Sequence, residues 1–304
     1  MASILQTAFE LGLISSLTVL ALFLSYTMLN VCDLSTDGCF TLGAAVGAVV
    51  AISGHPFLSL PAAMCAGILS GFVTAILQTK MGIDSLLSGI IVNTGLYSIN
   101  IAVMGGASLL NMNKTVTVFS MMKELLRTGP LGSVYKTVIA LIAVTAVILF
   151  LTFFLKTRLG LAIRATGNNP AMVRSSSVNP AFTTIVGLCI SNSFTALSGC
   201  LLAQSQKSVN IDIGSGIVTI SLASLLIGRA FAGKGGIPVR AIGAVLGAII
   251  FRLVYAVALR FHMPAFMLKL VSSVIVVIAI AGPYLKSRYP ELNRRLTHKT
   301  GEGT

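Results

Sequence analysis

The chain has 304 residues, a net charge of +13, a mean hydropathy of +0.94 and a 55% share of hydrophobic residues. Only 10% of its residues are charged, whereas typical soluble domains have about 25%. Its polar stretches are too short to form a domain core of their own. This composition excludes a soluble enzyme, and we predict an all-α polytopic membrane protein.

Apolar stretches recur along the chain at close to the length of a membrane-spanning helix, which is about 20 residues. They predict about nine transmembrane helices, in a range of about eight to ten. The second and seventh stretches are short, which is typical of broken or re-entrant helices buried against other helices. The predicted spans are 10–30, 40–53, 58–79, 84–105, 134–155, 181–204, 215–230, 241–259 and 264–283.

Lysine and arginine are unevenly distributed between the predicted loops. Most of the 21 fall at Lys80, in 156–180, in 229–240 and in the tail, which the positive-inside rule places in the cytoplasm. We therefore expect the N-terminus outside and the C-terminus in the cytoplasm. Aromatic residues do not interleave with this charge, so no nucleic-acid binding is predicted. Because no Lys or Arg precedes the first apolar run, we expect a retained membrane helix rather than a signal peptide.

A polar break precedes the second span, with the sequence Asp33-Leu-Ser-Thr-Asp37-Gly38. Ser, Thr and Asp are typical residues at helix starts, so the break predicts a half-helix with free backbone N–H groups near a translocation path. Amide side chains within spans are costly unless they are paired or wet, and each either fixes helix packing or lines such a path. The candidate path residues are Asp33, Ser35, Thr36, Asp37, Asn93, Asn192 and Gln204.

Small residues recur at intervals that allow close helix packing. A glycine pair spaced as GxxxG lets the backbones of two membrane helices approach each other. We predict a structural role for the three pairs in the spans. They are Gly43 and Gly47, Gly67 and Gly71, and Gly243 and Gly247.

A basic polar segment, 158–180, interrupts the apolar pattern. Within it, Gly167-Asn168-Asn169-Pro170 is a helix stop followed by a restart, because Asn caps helices and Pro is favoured in the first turn. We predict a short helix from Pro170 to about Ser177, lying along the membrane as a contact for a cytoplasmic partner. The alternative is an ordinary basic loop at the inner leaflet. The candidate contact residues are Arg164, Gly167, Asn168, Asn169, Pro170, Arg174 and Asn179.

Enzyme chemistry has little support in the sequence. The eight acidic residues and three histidines form no spacing typical of a metal site or a catalytic pair. Gly228–Gly235 imitates a phosphate-binding loop, but Gly235 stands where that loop needs a Ser or Thr hydroxyl. The five cysteines have neither zinc spacing nor a disulfide framework. We predict no catalytic residue, metal ion or cofactor in this chain.

Two motifs carry a resemblance to a known family. The first is a polar stretch that leads into an apolar one, Asp33-Leu-Ser-Thr-Asp-Gly-Cys-Phe-Thr-Leu-Gly-Ala. The second is the start of the basic segment, Arg158-Leu-Gly-Leu-Ala-Ile-Arg-Ala-Thr-Gly-Asn-Asn-Pro. They resemble the polar turn and the cytoplasmic coupling segment of bacterial ABC importer permeases in the branched-chain amino-acid and ribose permease superfamily. Ser191-Asn-Ser, Ala196-Leu-Ser-Gly and Leu202-Ala-Gln are similar to a subgroup linked to tryptophan and tyrosine uptake.

The resemblance implies a type II-like importer permease fold in a bacterial plasma (inner) membrane. It implies one permease domain over 1–285, with a coupling segment at 156–180 and a basic cytoplasmic tail at 286–304. The implied partners are a second permease copy, most simply as a homodimer, and cytoplasmic ATPase subunits that bind ATP and magnesium. An external binding protein would deliver the solute to the loops at 106–133 and 205–214. The serines after Arg174 depart from the family pattern, which leaves the docking contacts open.

Two other classes are weighed against an importer. A secondary transporter needs coupling-ion ligands or a proton relay at the membrane midplane, and no Asp or Glu lies in the middle of a predicted span. An intramembrane enzyme needs a catalytic pair at matched depth, and none is visible. Loss of transport in an Arg164→Glu variant with normal insertion favours the importer.

Overall fold

The computed structural model describes residues 2–125, 134–233 and 235–260, with a few isolated positions between 270 and 281. Within that part, seven helical segments are long and apolar enough to cross a membrane. The fold class predicted from composition, an all-α polytopic membrane protein, is therefore confirmed. These segments are Leu5–Met28, Ser59–Thr79, Ser85–Val103, Tyr135–Phe154, Pro180–Gln206, Ile211–Ala232 and Ile237–Ala258.

The helices follow the predicted spans closely. The helix of the second predicted span, Thr36–Ile52, has 17 residues and is short as expected. The seventh predicted span, 215–230, is longer than expected, because a 3-10 turn, Ile211–Gly214, extends its helix to a segment of 22 residues. The ninth predicted span, 264–283, lies almost entirely outside the described residues, so the count of nine is not confirmed. The helices are α1 Ala2–Leu22, α2 Thr36–Ile52, α3 Ser59–Thr79, α4 Ser85–Val103, α5 Val118–Leu125, α6 Tyr135–Phe154, α7 Arg158–Asn168, α8 Pro170–Ser175, α9 Pro180–Gln206, α10 Ile217–Ala232 and α11 Ile237–Arg260.

Two helices, α1 and α9, form the interior of the bundle. Their most apolar windows are 83% and 78% buried, against 28% to 33% for α3, α4 and α6. The two run antiparallel, and Ser191 and Ser198 of α9 donate hydrogen bonds to the carbonyls of Ala21 and Ile14 at 2.8 and 2.7 Å. Such hydroxyl-to-backbone bonds hold membrane helices together where no hydrophobic driving force acts between them. The outer helices expose apolar side chains, as lipid contact requires.

Glycines let α2 and α3 approach the backbone of α9. A Cβ placed on Gly71 would lie 2.6 Å from the carbonyl oxygen of Leu188, and one on Gly43 would collide with Ala196. The pair at Gly243 and Gly247 packs in the same way against α10. The structural role predicted for the GxxxG pairs is therefore confirmed.

The chain reverses inside the bundle between α1 and α2. A π-helix, Phe23–Met28, extends α1, and Leu29 then lies against Gly167 of α7. Asp33 already reaches Asn192, near the middle of the 27-residue α9. Because α2 begins only three residues later, it starts halfway along the bundle, which confirms the predicted half-helix start.

One short sheet was not predicted. Strand β1, Leu109–Asn111, pairs antiparallel with strand β2, Ser208–Asn210. It joins the two loops that we expect to be external, and it shows that both loops lie on the same side of the bundle.

Candidate functional site

A buried carboxylate anchors the polar break to α9. Asp33 is 1% exposed, and its oxygens accept hydrogen bonds from the Ser35 backbone N–H at 2.8 Å, the Ser35 hydroxyl at 2.6 Å and the Asn192 amide at 2.8 Å. Thr74 of α3 donates to the Ser35 hydroxyl, and Thr36 donates to the Asp33 carbonyl. We call Asp33, Ser35, Thr36, Thr74 and Asn192 the polar joint, because they connect α2, α3 and α9.

The polar joint has the features of a structural element. Hydrogen bonds to a charged group are each worth about 1.5–3 kcal/mol, and removing the carboxylate would leave buried donors without acceptors. No lysine or arginine of the described segments forms an ion pair with Asp33, so within this part of the chain its side-chain oxygens have neutral donors alone. The Asn192 side-chain oxygen has no donor among the described residues.

A second acidic side chain, Asp37, caps another helix. One carboxylate oxygen accepts from the Gly216 N–H at 2.9 Å, and the other accepts from the Val218 N–H at 2.8 Å. Because Gly216 has no side chain with which to cap α10 itself, Asp37 provides the cap from α2. A negative charge is favourable at a helix N-terminus. The start of α10 is therefore fixed to the first turn of α2, deep in the bundle.

These positions correct one expectation. No acidic residue was expected in the middle of a span, because 33–37 was placed at the entrance of the second one. Asp33 instead lies beside Asn192, halfway along α9, and Asp37 lies one helical turn further along the chain, in the first turn of α2. The error arose because the polar break enters the bundle before α2 begins.

A polar pocket of about 340 Å³ opens beside Asp37. It lies between the first turns of α2, the C-terminal half of α4, and the 3-10 turn that leads into α10. Of the predicted path residues, Asp37 and Asn93 line it. The full lining is Asp37, Gly38, Thr41, Asn93, Thr94, Tyr97, Asn100, Ile211, Asp212 and Ser215.

One face of α4 supplies the polar wall of this pocket. Asn93, Tyr97 and Asn100 follow the spacing i, i+4 and i+7, which places them on one side of a helix. Gly38 leaves room for this wall, since a Cβ there would lie 2.6 Å from the Asn93 side-chain oxygen. The candidate list from the sequence omitted Tyr97, Asn100 and Asp212, although the helical spacing of the first two with Asn93 was a usable signal.

Gln204 lies apart from both groups. Its side-chain oxygen accepts from the Val118 N–H at 2.9 Å, and its amide donates to the Ser59 hydroxyl at 2.6 Å. It therefore ties α9 to α3 and α5 near the sheet. The structure thus divides the predicted path residues between the pocket, the polar joint and this contact.

The basic segment folds as predicted, with one helix that stops and a second helix that starts after it. After α7, the Asn169 side chain accepts from the N–H groups of Ala171 and Met172 at 3.0 and 3.2 Å, and α8 begins at Pro170. Helix α8 ends at Ser175, slightly before the predicted end, and Ser177 follows with a positive φ of 60°. Its side chains point mostly to solvent, including Met172 at 67% exposure.

This segment packs against the bundle and is hydrogen-bonded to it. The hydroxyls of Thr166 and Thr183 lie 2.8 Å apart and join α7 to α9, while Gly167 packs on the backbone of the π-helix at Met28. Asn179 caps α9 through the Ala181 N–H at 2.9 Å. Five of the predicted contact residues are exposed and two, Arg164 and Gly167, are partly buried. The exposed ones are Asn168, Asn169, Pro170, Arg174 and Asn179.

The fold and these elements define a class of protein, a multi-pass membrane protein with a polar pocket inside its helix bundle. Residues 4–280 match the family described as the branched-chain amino acid transport system permease component. The match covers most of the chain, so the chain belongs to this family. It is a permease of an ABC transporter, a transport component rather than an enzyme.

Several curated proteins are similar to the chain. It is 31% identical to a tyrosine transport system permease protein of Clostridioides difficile, over 96% of this chain and 95% of the relative. It is 26% identical to a galactose/methyl galactoside import permease of Haemophilus influenzae, over 72% of this chain and 63% of that protein. It is 24% identical to a nucleoside ABC transporter permease of Lactococcus lactis, over 75% and 74%. No solved structure matches the chain significantly. ABC permeases of this family act in membranes with ATPase subunits and usually with a binding protein.

Proposed function

We propose that the chain forms the translocation path of a bacterial importer for an amino acid, with an aromatic amino acid favoured. It acts in the plasma (inner) membrane as a homodimer, with two ATPase subunits docked in the cytoplasm and a binding protein outside. The N-terminus is external and the C-terminus is cytoplasmic. Residues 1–285 form the permease domain, and 286–304 form a basic cytoplasmic tail.

The observation that carries this proposal is the α7–α8 segment. Helix α8 is exposed and capped by Asn169, and the preceding α7 is fixed to α9 through Thr166. This arrangement is suited to transmit force from a soluble partner. We assign the coupling contact to residues 164–179, with Arg164 and Arg174 as its basic groups. Because Gly167 packs on the π-helix, a push on this segment reaches the end of α1 and the break that follows it.

The proposed path is defined by which of the polar residues line the pocket and which hold the helices together. Asp37 and Asn93 line it, since they face the polar pocket. Asp33, Ser35, Thr36 and Asn192 support it by holding the start of α2 in the middle of the bundle. Gln204 supports its outer end, where it joins α9 to α3 and α5.

The exposed polar face of α4 favours a second copy. Asn93 is half-buried, Thr94 is exposed and Tyr97 is 51% exposed on a helix long enough to span the membrane. Polar side chains in a membrane helix face the bundle interior or a wet cavity rather than lipid. A homodimer that covers this face places the two pockets on either side of a shared central path.

An amino acid is favoured as the solute by the relative that matches nearly the full length. That relative is named for tyrosine transport, and the alignment covers 96% of this chain. The relatives named for galactoside and nucleoside transport match at lower identity and coverage. Similarity to this relative supports an amino acid as the solute, and membership of the family supports the requirement for ATP.

An ion-gradient-driven secondary transporter is the second candidate, because Asp33 and Asp37 lie at mid-bundle depth where a coupling ion would bind. It ranks lower because their oxygens already accept five hydrogen bonds from the chain itself.

Co-purification with the products of neighbouring genes tests the proposal. We expect a stable complex with a soluble ATPase, whose hydrolysis rises when a loaded binding protein is added. Arg164→Glu should abolish this rise while leaving membrane insertion intact. Lys80→Glu is the control, since Lys80 is also basic and expected in the cytoplasm but lies outside the coupling segment. A chain that purifies without any ATPase, or an Arg164→Glu variant with full stimulation, contradicts the proposal.

A further inference from the structure

We infer that the polar pocket between α2 and α4 is a binding site for a protonated amine, with Asp212 and Asn100 as its principal acceptors. This inference rests on the proposed function and adds to it the part of the solute that the membrane subunit itself recognises. Three independent observations support it: the charge of the pocket lining, an unpaired buried acceptor, and the pocket's size and depth.

The charge of the lining is unbalanced. Two of the ten lining residues are carboxylates, and none is a lysine or an arginine. Asp37 uses both of its oxygens on the start of α10. The carboxylate of Asp212 forms no hydrogen bond or ion pair with any residue in the described part of the chain. Only its backbone is bonded there: the N–H donates to the Asn210 side chain, and the carbonyl accepts from the Ser215 N–H. A cavity with low-dielectric walls and charge of one sign attracts ligands of the opposite sign.

Asn100 provides a second and independent indication. It is 1% exposed, and its amide nitrogen donates to the Gly38 carbonyl at 3.2 Å, which fixes the orientation of the side chain. Its oxygen then has no donor among the described residues. A buried acceptor left unpaired costs about 1–3 kcal/mol, so a donor from a ligand is strongly favoured there. The unpaired oxygen of Asn192 differs in this respect, because Asn192 does not line the pocket.

An ammonium group matches these acceptors. It carries one positive charge and three N–H donors, and it has no acceptor of its own. The carboxylate of Asp212 and the oxygens of Asn100 and Asn93 supply acceptors around the same space. The half-exposed ring of Tyr97 offers a face on which a cation is also attracted. An anionic solute would meet two carboxylates instead, and a neutral sugar would leave the charge of Asp212 unbalanced.

The size and depth of the pocket fit one small solute. Its volume, about 340 Å³, is at the lower end of the range of about 300–1,000 Å³ seen for ligand sites. Asp37 places it at the junction of α2 and α10, both of which begin inside the bundle. A solute bound there is in the position that a path between two permease copies requires.

Direct binding to the purified permease in nanodiscs tests the inference without interference from the binding protein. Radiolabelled L-tyrosine is the probe, with tyramine and 3-(4-hydroxyphenyl)propionate as competitors, because the first keeps the amine and the second keeps only the carboxylate. We expect tyramine to displace the label and the propionate to fail. Asp212→Asn should weaken L-tyrosine binding about tenfold, the loss expected for a half-solvated charge pair.

Glu124→Gln is the matched control, since it removes one negative charge from an exposed side chain of α5, away from the pocket. It should bind L-tyrosine as the wild type does. Equal competition by the propionate, unchanged binding in Asp212→Asn, or no binding of any amine probe by the wild type would overturn the inference. The proposed function is tested separately by ATP hydrolysis of the complex. An active ATP-driven importer of an amino acid, with the cargo identified by mass spectrometry on the binding protein, whose permease binds that amino acid equally well in the wild type and in Asp212→Asn would refute this inference alone.

Discussion

Two regions of the bundle, the polar joint and the polar pocket, each contain an aspartate, Asp33 in the joint and Asp212 in the pocket. They differ in whether the carboxylate is hydrogen-bonded to the chain. In the joint, Asp33 is 1% exposed and accepts three hydrogen bonds from its own chain. In the pocket, Asp212 is exposed to the cavity, and its carboxylate has no partner in the described residues. Asp37 stands between the two, because it lines the pocket while both of its oxygens cap α10.

The comparison shows how a membrane protein separates support from binding. Polar groups in an apolar bundle are stabilising only when their hydrogen-bonding capacity is used. A carboxylate saturated by its own chain therefore holds the structure together and has little capacity left for a solute. A carboxylate that is left free in a wet cavity keeps that capacity for a ligand. The same residue type thus predicts a stability phenotype in one region and a binding phenotype in the other.

The largest expected effect is on stability, in Asp33→Ala. Removing one partner of a buried charged network costs about 3–5 kcal/mol, because Asn192 and the Ser35 backbone lose their acceptor. Asp212→Ala should change stability by less than about 0.5 kcal/mol, as is usual for exposed side chains without contacts. Thermal unfolding of both variants in the same detergent measures the difference. Equal stability of the two variants would contradict the division between joint and pocket.

Asp37→Asn should have the next largest effect. Asparagine offers one oxygen, so either the Gly216 or the Val218 N–H loses its acceptor, and the start of α10 should weaken by about 1–2 kcal/mol. Hydrogen exchange over 214–220 should rise accordingly. Asp84→Asn is the control, since Asp84 makes a single cap bond, to the Leu86 N–H, which one oxygen can still accept. Unchanged exchange in Asp37→Asn would show that the cap from α2 does not hold α10.

A smaller effect is expected in the coupling segment, from Asn169→Ala. This variant removes the cap of α8, worth about 1 kcal/mol, so the ATPase should bind about fivefold more weakly to the permease in nanodiscs. Asn113→Ala is the control, since Asn113 is also an exposed asparagine but lies outside residues 164–179. Titration of the purified ATPase onto both variants measures the effect. Equal binding by the two variants would show that the order of α8 is not what the partner requires.

The smallest effect is expected from Thr166→Val. The change removes the hydroxyl contact with Thr183 between α7 and α9, with an expected loss of about 0.5–1 kcal/mol. Thr184→Val is the control, because within the described residues that hydroxyl donates to the Pro180 carbonyl of its own helix and to no other group. Chemical unfolding of the two variants should separate them by a few tenths of a kcal/mol. Identical unfolding curves would show that the Thr166 hydroxyl does not help to hold α7 against α9.

The sequence was sufficient to predict the helices and the helix restart at α8, because both depend on local signals. Apolar runs located every span in the described part, and Asn169-Pro170 located the restart at α8 to the residue. Capping and helix propensity act within a few residues, so a single sequence contains them.

The sequence could not show which polar residues hold the structure together and which line the pocket, because this depends on partners far along the chain. Asp33 and Asp37 are one helical turn apart, yet one pairs 159 residues away and the other caps a helix 179 residues away. Asp212 was passed over because no other acidic residue lies at helical spacing from it. Its relation to Asn100 arises only when the 3-10 turn folds back onto α4.

Uptake by proteoliposomes tests the central claim most directly. Vesicles containing the permease, its ATPase and the binding protein are given labelled L-tyrosine with either ATP on the ATPase side or an imposed proton or sodium gradient. We predict uptake that requires ATP, is unaffected by the gradients and falls about tenfold in Asp212→Asn while basal ATP hydrolysis persists. Uptake driven by a gradient without ATP would contradict the account and establish a secondary transporter instead.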